Sequence, residues 1–150
     1  MLSSTKFLLP DFLHLPIEMT NPTETTRPTK CGDCGECVVG KSHPARWGPS
    51  AWHFLHTSAA FYPTHPSKAQ QEAMIRFIKS LPIALPCQKC THECSEFIRK
   101  NLDQLPFICS SNDRLFNFYV DLHNAVNRRY GKVPMSYEDA RRIYYDRLNM

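Results

Sequence analysis

The residues most suited to chemistry lie in the stretch Leu85–Cys94, written LPCQKCTHEC, which holds three cysteines and a histidine. If the chain after Pro86 is helical, Cys87 and Cys90 stand at i and i+3, and their sulfurs can meet. Cys87 would then occupy the first helical turn, where the positive end of the helix dipole stabilises a thiolate. This arrangement favours reversible disulfide exchange. Half of a zinc site and a structural disulfide are the alternatives, but zinc sites usually draw a second CxxC from about 15–20 residues away, and 49 residues separate Cys37 from Cys87.

A second group of cysteines, Cys31, Cys34 and Cys37, has glycines between its members. On a mobile segment, such a dithiol can carry electrons from an outside substrate to a buried partner. Both neighbouring pairs have CxxC spacing, so the spacing does not decide which two cysteines pair, and a loop staple or a metal knuckle is the alternative. The total of seven cysteines is odd, so at least one thiol is free or pairs between chains.

A polar helix edge is predicted in the run HNAVN. His123 and Asn127 are four residues apart and therefore stack on one helical face, which Phe116 extends. A polar edge flanked by aromatic side chains inside a bundle suits a flat heterocyclic ligand, although an isolated pair of this kind also occurs at solvated surfaces. Trp52 and His56 repeat the pattern on an earlier helix, where core packing around a hydrogen-bonded histidine is the alternative.

Five helices are predicted to position these residues, and no segment shows the alternating pattern of a strand. Ser67 opens the second helix with a capping box, and Pro82 is predicted to end it. Gly131 stands where the glycine after the fourth helix belongs. The predicted helices span residues 49–61, 67–81, 86–100, 112–130 and 136–148.

The chain therefore predicts an all-α fold, a four-helix bundle with a short fifth helix. Residues 1–45 are rich in proline and threonine and show no periodicity, so a flexible N-terminal arm is predicted there, ahead of a helical domain at residues 46–150. The arm would hold the three shuttle cysteines.

Composition bounds the possible roles of the protein. Apolar residues make up 42% of the 150, enough for a packed core, and the net charge is only +4. The basic doublets at residues 128–129 and 141–142 are interpreted as solvated helix faces, so no nucleic-acid partner is predicted. No apolar run approaches the roughly 20 residues that a membrane span needs, and prolines interrupt the apolar start of the chain, which makes a poor signal peptide.

Three motifs occur in a fixed order: WGPSAWHFLHTSAAFYP, then PCQKC, then LHNAVNRRYGK. In this order and spacing, over residues 47–145, the chain resembles the Erv/ALR family of FAD-dependent sulfhydryl oxidases. The combination W-x4-W-x3-H, PCxxC and HNxVNxxxGK is highly specific. The resemblance implies a helical bundle that binds FAD and no metal and forms a homodimer. It would oxidise protein dithiols and pass their electrons to molecular oxygen, which yields hydrogen peroxide.

The resemblance also implies a role for each site residue. Cys90 would lie next to the flavin ring, and Cys87 would accept electrons from a shuttle pair among Cys31, Cys34 and Cys37. The other implied FAD contacts are Gly48 at the backbone, Trp52 and His56 at the flavin and adenine region, His123, Asn124, Asn127 and Lys132 at the nucleotide part, and Tyr144 against the adenine.

The sequence departs from the family in its other cysteines. Many members carry a disulfide between the fourth helix and the loop before the fifth, and the matching positions here, Val120 and Met135 or Ser136, hold no cysteine. Cys94 and Cys109 have no clear counterpart, and either they pair with each other or Cys109 is the free thiol. The short form resembles members encoded by large DNA viruses, which predicts action in the host-cell cytoplasm or the virion rather than the mitochondrial intermembrane space. The alternative function is a zinc-stabilised helical interaction module.

Overall fold

The computed structural model describes residues 43–145, so the predicted arm at residues 1–42, with Cys31, Cys34 and Cys37, lies outside the described part. The described chain consists of helices joined by short loops and contains no strand, which confirms the all-α prediction. None of its helices is both long and apolar enough to cross a membrane. The helices are α1 Pro44–Ala60, α2 Lys68–Ala84, α3 Gln88–Lys100, α4 Leu105–Ile108, α5 Asn112–Arg129 and α6 Tyr137–Tyr144, with a 3-10 turn at Leu102–Gln104 before α4.

The four long helices form the predicted bundle, with α5 at its centre. α1 packs along α5, α2 packs along α3, and α6 contacts both α1 and α5. The two largest fully buried side chains, Tyr119 and Phe116, both belong to α5. The predicted fourth helix corresponds to α5, and the predicted fifth helix corresponds to α6. The predicted end of the fifth helix at residue 148 lies outside the described residues.

The start of α1 differs from the prediction. The helix begins at Pro44 rather than Pro49, and the His43 ring nitrogen Nδ1 caps it by accepting a hydrogen bond from the Ala45 N–H at 3.2 Å. Pro44 occupies the first helical turn, where a missing N–H costs nothing. Pro49 therefore lies inside the helix, where its ring removes one intrahelical hydrogen bond. The predicted arm boundary at residue 45 falls within α1.

The other helix ends show one error and two confirmations. α2 continues past Pro82 to Ala84, because a proline in the last turn removes only one hydrogen bond and the Leu85 N–H still closes that turn on the Pro82 carbonyl. The capping box at Ser67 is confirmed, with both of its hydrogen bonds present. Gly131 has a φ of 64°, as the position after α5 requires. α4 was not predicted, since four residues are too few to show a period.

Cys94 and Cys109 are free thiols within the core. Cys109 is fully buried and Cys94 is 8% exposed. Burial raises the pKa of each thiol to about 11, so neither carries thiolate character near neutral pH. The alternative in which the two cysteines pair is wrong, and both act as small apolar side chains.

Candidate active site

The cysteine pair Cys87–Cys90 lies at the start of α3 and forms a disulfide, with a Cα–Cα distance of 5.2 Å. Cys87 is the N-cap residue, and its sulfur accepts a hydrogen bond from the Cys90 N–H at 3.3 Å. The Thr91 hydroxyl donates to the Cys87 carbonyl at 3.1 Å and fixes the turn. The disulfide therefore sits at the positive end of the α3 dipole, as the sequence predicted.

A cleft of about 960 Å³ opens beside this disulfide, and its walls come from α1, α2, α3, α5 and α6. This volume lies at the upper end of the roughly 300–1,000 Å³ range of small-molecule sites. His56, Asn124 and Cys87 are buried and do not line the cleft. The predicted site residues that do line it are Gly48, Trp52, Cys90, His123, Asn127, Lys132 and Tyr144.

Two stacked ring pairs join the cleft walls. The Trp52 ring of α1 stacks on the His123 ring of α5, with centroids 4.1 Å apart and planes 7° from parallel. The His56 ring stacks on the Tyr144 ring of α6 at 4.3 Å. A hydrogen bond of 3.2 Å between His56 Nε2 and His123 Nδ1 connects the two pairs. Four rings thus hold three helices together, with Trp52, His123 and Tyr144 at the cleft and His56 buried behind them.

Both histidines of this ring cluster, His56 and His123, are neutral at physiological pH. Burial, followed by the nearby His123 and His53, lowers the pKa of His56 to about 3. Burial, followed by the charge of Lys132, lowers the pKa of His123 to about 4. His56 Nδ1 is buried without a hydrogen-bond partner. A bare acceptor is tolerated there more readily than an unpaired N–H. We therefore assign His56 Nε2–H as the donor to His123 Nδ1, which leaves His123 Nε2–H as a donor for a ligand.

The sequence analysis missed an ion pair that links two walls of the cleft. Arg129 of α5 binds Glu93 of α3, and both residues line the cleft. Arg129 Nη2 is buried without a partner, so it can still bind an acceptor. The interpretation of residues 128–129 as a solvated face is wrong for Arg129, whose side chain is 18% exposed. The spacing along α5 could have revealed this inward position, because Leu122, Val126 and Arg129 are four and three residues apart and therefore share one helical face.

Gly48 provides open space at the wall that α1 contributes. The residue is buried and lines the cleft, yet a Cβ atom added there would meet nothing within 4 Å beyond its chain neighbours and its own helix. A side chain at this position would therefore project into unfilled volume rather than into protein. A ligand can approach the backbone closely at this point.

A helical domain with a disulfide at the edge of a cleft lined by aromatic and basic side chains has the features of a small redox protein whose cleft can take a flat cofactor. Comparison with known sequences gives the family, because the Erv1 / Alr family profile matches residues 49–145. The chain therefore belongs to the Erv1 / Alr family, and it is an FAD-linked sulfhydryl oxidase that acts on dithiols.

Individual relatives agree with this membership. A protein of Invertebrate iridescent virus 6 whose name places it among the FAD-linked sulfhydryl oxidases is 38% identical over 102 residues, which are 66% of this chain and 92% of the relative. The FAD-linked sulfhydryl oxidase of African swine fever virus is 29% identical over 98 residues, 65% of this chain and 79% of that protein. The FAD-binding domain of Erv1 from Saccharomyces cerevisiae superposes with a TM-score of 0.61 at 28% identity, covering 67% of this chain and 92% of that domain.

The cleft residues fit the chemistry of FAD. Trp52 offers a flat ring to an aromatic system, and His123 offers a hydrogen-bond donor. Arg129 and Lys132 offer positive charge to a pyrophosphate. The open volume at Gly48 admits the close approach of a ligand.

The zinc-stabilised interaction module is not favoured. Between residues 43 and 145, no group of three or more histidine, cysteine, aspartate or glutamate side chains is placed to hold a metal ion. Cys87 and Cys90 are bonded to each other, and Cys94 is a buried thiol. The ligands that this hypothesis needs from the central cysteine group are therefore not available.

Proposed function

We propose that the oxidase moves electrons from a protein dithiol to the arm cysteines, then to the Cys87–Cys90 disulfide, and finally through FAD to molecular oxygen. The net reaction converts a dithiol and O2 into a disulfide and H2O2. The observation that carries the proposal is the position of Cys90, which lines the same cleft as Trp52 and His123 while Cys87 is buried beside it.

Two thiol–disulfide exchanges precede the cofactor. A substrate thiolate attacks the arm disulfide, either Cys31–Cys34 or Cys34–Cys37, and the second substrate thiol resolves the mixed disulfide. An arm thiolate then attacks the Cys87 sulfur, the Cys87–Cys90 bond breaks, and Cys90 leaves as a thiolate. The second arm thiol displaces Cys87, which leaves both electrons on the reduced pair.

The chain supports this exchange through α3. Cys90 is the third residue of the helix, so the positive end of the dipole stabilises its thiolate as the leaving group. FAD, when bound, supplies the two-electron acceptor and the site at which oxygen takes up two electrons and two protons. The residues proposed to hold FAD directly are Gly48, Trp52, His123, Asn127, Lys132 and Tyr144, with His56 supporting His123 and Tyr144 from behind.

The central pair is tested with single serine variants of Cys87, Cys90 and Cys109. We expect Cys87→Ser and Cys90→Ser to bind FAD but to lose oxygen consumption with dithiothreitol by at least about a thousandfold, because no disulfide remains to accept electrons. Cys109→Ser is the matched control and should retain activity, since its thiol is fully buried and does not line the cleft. Full oxidase activity in Cys90→Ser would contradict the proposal, as would a colourless protein with stoichiometric zinc.

The arm is tested with Cys34→Ser, because Cys34 belongs to both candidate pairs. This variant should lose activity on a reduced protein substrate and keep activity on dithiothreitol, which can reach Cys87–Cys90 without the arm. Cys31→Ser and Cys37→Ser then identify the pair, since the cysteine outside it can be replaced without loss. Unchanged oxidation of the protein substrate by Cys34→Ser would exclude the shuttle.

We also propose that the oxidase is a homodimer that buries an apolar face of α1. Phe54 and Phe61 are 59% and 71% exposed, and Phe54 contacts Phe77 of α2. Thr57 Oγ1 on the same face is buried without a partner. Exposed aromatic side chains grouped in this way are typical of interaction sites. Sedimentation should show a dimer for the wild type and a folded monomer for Phe54→Glu/Phe61→Glu. A wild-type monomer at high concentration would refute the proposal.

For the location, we propose the cytoplasm of an infected host cell or the virion, and the viral relatives support this choice. The mitochondrial intermembrane space is the less favoured compartment. Immunodetection in fractionated infected cells tests the proposal, and recovery of the protein only with mitochondria would refute it.

A further inference from the structure

The structure assigns Asn124 a positioning role, in which its side-chain amide clamps the segment between α5 and α6 and so sets Lys132 and Tyr144 around the cofactor cleft. Asn124 Nδ2 donates to the Met135 carbonyl at 2.8 Å, and the Met135 N–H donates to Asn124 Oδ1 at 2.8 Å. The side chain is buried, with 7% exposure. This inference deepens the proposed function and rests on its placement of FAD.

The clamp replaces the nucleotide contact that the family resemblance implied for Asn124. The amide oxygen and the amide nitrogen each already hold one short, buried hydrogen bond to Met135. Asn124 does not line the cleft, although its neighbours in sequence, His123 and Ala125, do. The polar atoms of Asn124 are therefore directed to the protein backbone rather than to a ligand.

The clamped segment carries cleft residues on both sides of Met135. Before it, Gly131 turns the chain out of α5, and the Lys132 N–H donates to the Asn127 carbonyl at 2.9 Å. After it, the Ser136 hydroxyl caps α6 by accepting from the Asp139 N–H at 3.0 Å. α6 in turn carries Tyr144, which stacks on His56. The paired contact thus fixes the middle of the segment, between the Lys132 hydrogen bond at its start and the Tyr137 hydroxyl, which donates to Asp121 at 2.8 Å at the start of α6.

Packing contributes little to holding residues 132–134 in place. Val133 is 87% exposed, and Pro134 is also exposed, so neither anchors the chain in the core. Met135 packs against the core from a half-buried position. An amide side chain can donate to and accept from one backbone residue at once, which few other side chains can do. Asparagine at position 124 is therefore matched to this contact.

The first test measures the clamp without the cofactor. We expect Asn124→Ala to accelerate hydrogen exchange of the Met135 amide by about tenfold or more in the FAD-free protein. The Kd for FAD should rise by about tenfold, because the loss of one or two buried hydrogen bonds corresponds to a factor of this size. The matched control is Asn127→Ala, a cleft residue on the same helix. It should weaken FAD binding and leave the Met135 exchange rate unchanged.

The second test uses the isosteric variant Asn124→Asp, which also serves if Asn124→Ala fails to fold. A protonated carboxyl can donate to the Met135 carbonyl and accept from its N–H, whereas an ionised carboxylate can only accept. Burial raises the pKa of such a carboxyl. The ratio of the variant's Kd for FAD to the wild-type Kd at the same pH should therefore fall from about tenfold near pH 8 towards one near pH 5.

Three outcomes would overturn these assignments. Weaker FAD binding with unchanged Met135 exchange would mean that Asn124 contacts the cofactor directly. Faster Met135 exchange with unchanged FAD affinity would mean that the clamp does not position the site. If Trp52→Ala and Asn127→Ala both bind FAD as the wild type does, the proposed cofactor placement fails, whatever the Met135 amide does.

Discussion

Acidification is expected to destabilise the protein through the buried pair His56 and His123. Their folded-state pKa values of about 3 and about 4 lie below the ordinary value of 6.5, so the unfolded chain binds protons that the folded chain rejects. The stability is fully present above about pH 7 and is lost as the pH falls through 6.5 towards the folded values. At pH 5 each histidine lies about 1.5 pH units below its unfolded pKa, which costs about 2 kcal/mol for the buried His56 and about 1 kcal/mol for the half-buried His123, where solvent screens the charge. A loss of about 3 kcal/mol is a large share of the 5–15 kcal/mol typical of a domain.

The assay is urea unfolding of the FAD-free protein followed by circular dichroism between about pH 7.5 and pH 5, because His123 belongs to the proposed FAD site and bound FAD would add its own pH dependence. The double variant His56→Gln/His123→Gln has no proton to take up and should show a much flatter pH dependence over this range. The exposed His65 provides the control, since His65→Gln should keep the wild-type pH dependence. A wild-type stability that stays constant down to pH 5, or a double variant with the full loss, would refute the reasoning.

Further predictions concern the cleft, the core thiols and a helix end. Gly48→Ala should fold with a modest loss of stability, because the added Cβ precedes Pro49 within the helix but meets nothing within 4 Å beyond its chain neighbours and its own helix. Titration should show about a tenfold loss of FAD affinity as the methyl group enters the ligand volume; unchanged affinity would place the ligand elsewhere. Cys94 and Cys109 should not react with a thiol reagent until urea unfolds the chain, since burial raises the pKa of each to about 11; fast labelling of either thiol in the native protein would contradict this. Ser67→Ala should lower the unfolding free energy by about 1 kcal/mol through loss of the cap to the Gln70 N–H, and FAD affinity should not change, which separates this effect from damage to the site.

The sequence was sufficient for the features that depend on local patterns. Helical periodicity predicted the four long helices, and the capping box at Ser67 and the glycine at position 131 marked their ends correctly. The start of α1 was misplaced because two prolines, Pro44 and Pro49, satisfy the same rule for a first helical turn, and only the His43 cap distinguishes them. Local rules of this kind do not rank two acceptable positions a few residues apart.

Contacts between distant parts of the chain could not be predicted in the same way. The Glu93–Arg129 ion pair joins residues 36 positions apart, and no local pattern connects them. The Asn124–Met135 hydrogen bonds link α5 to the segment before α6, where the sequence holds no cysteine at Val120, Met135 or Ser136. Such a contact becomes visible only when both partners are placed in space.

The short span of the Cys87–Cys90 bond has a consequence for the working cycle of the enzyme. The bond closes a ring across a sequence separation of only three residues, so chain entropy gives it about 2 kcal/mol, near the low end for such cross-links. When the bond opens, the Cys90 N–H that now meets the Cys87 sulfur can meet a thiolate in the same place, and a charged acceptor strengthens that contact. Each catalytic round can therefore open and reseal the bond while the architecture stays as it is, at only a small cost in folding stability.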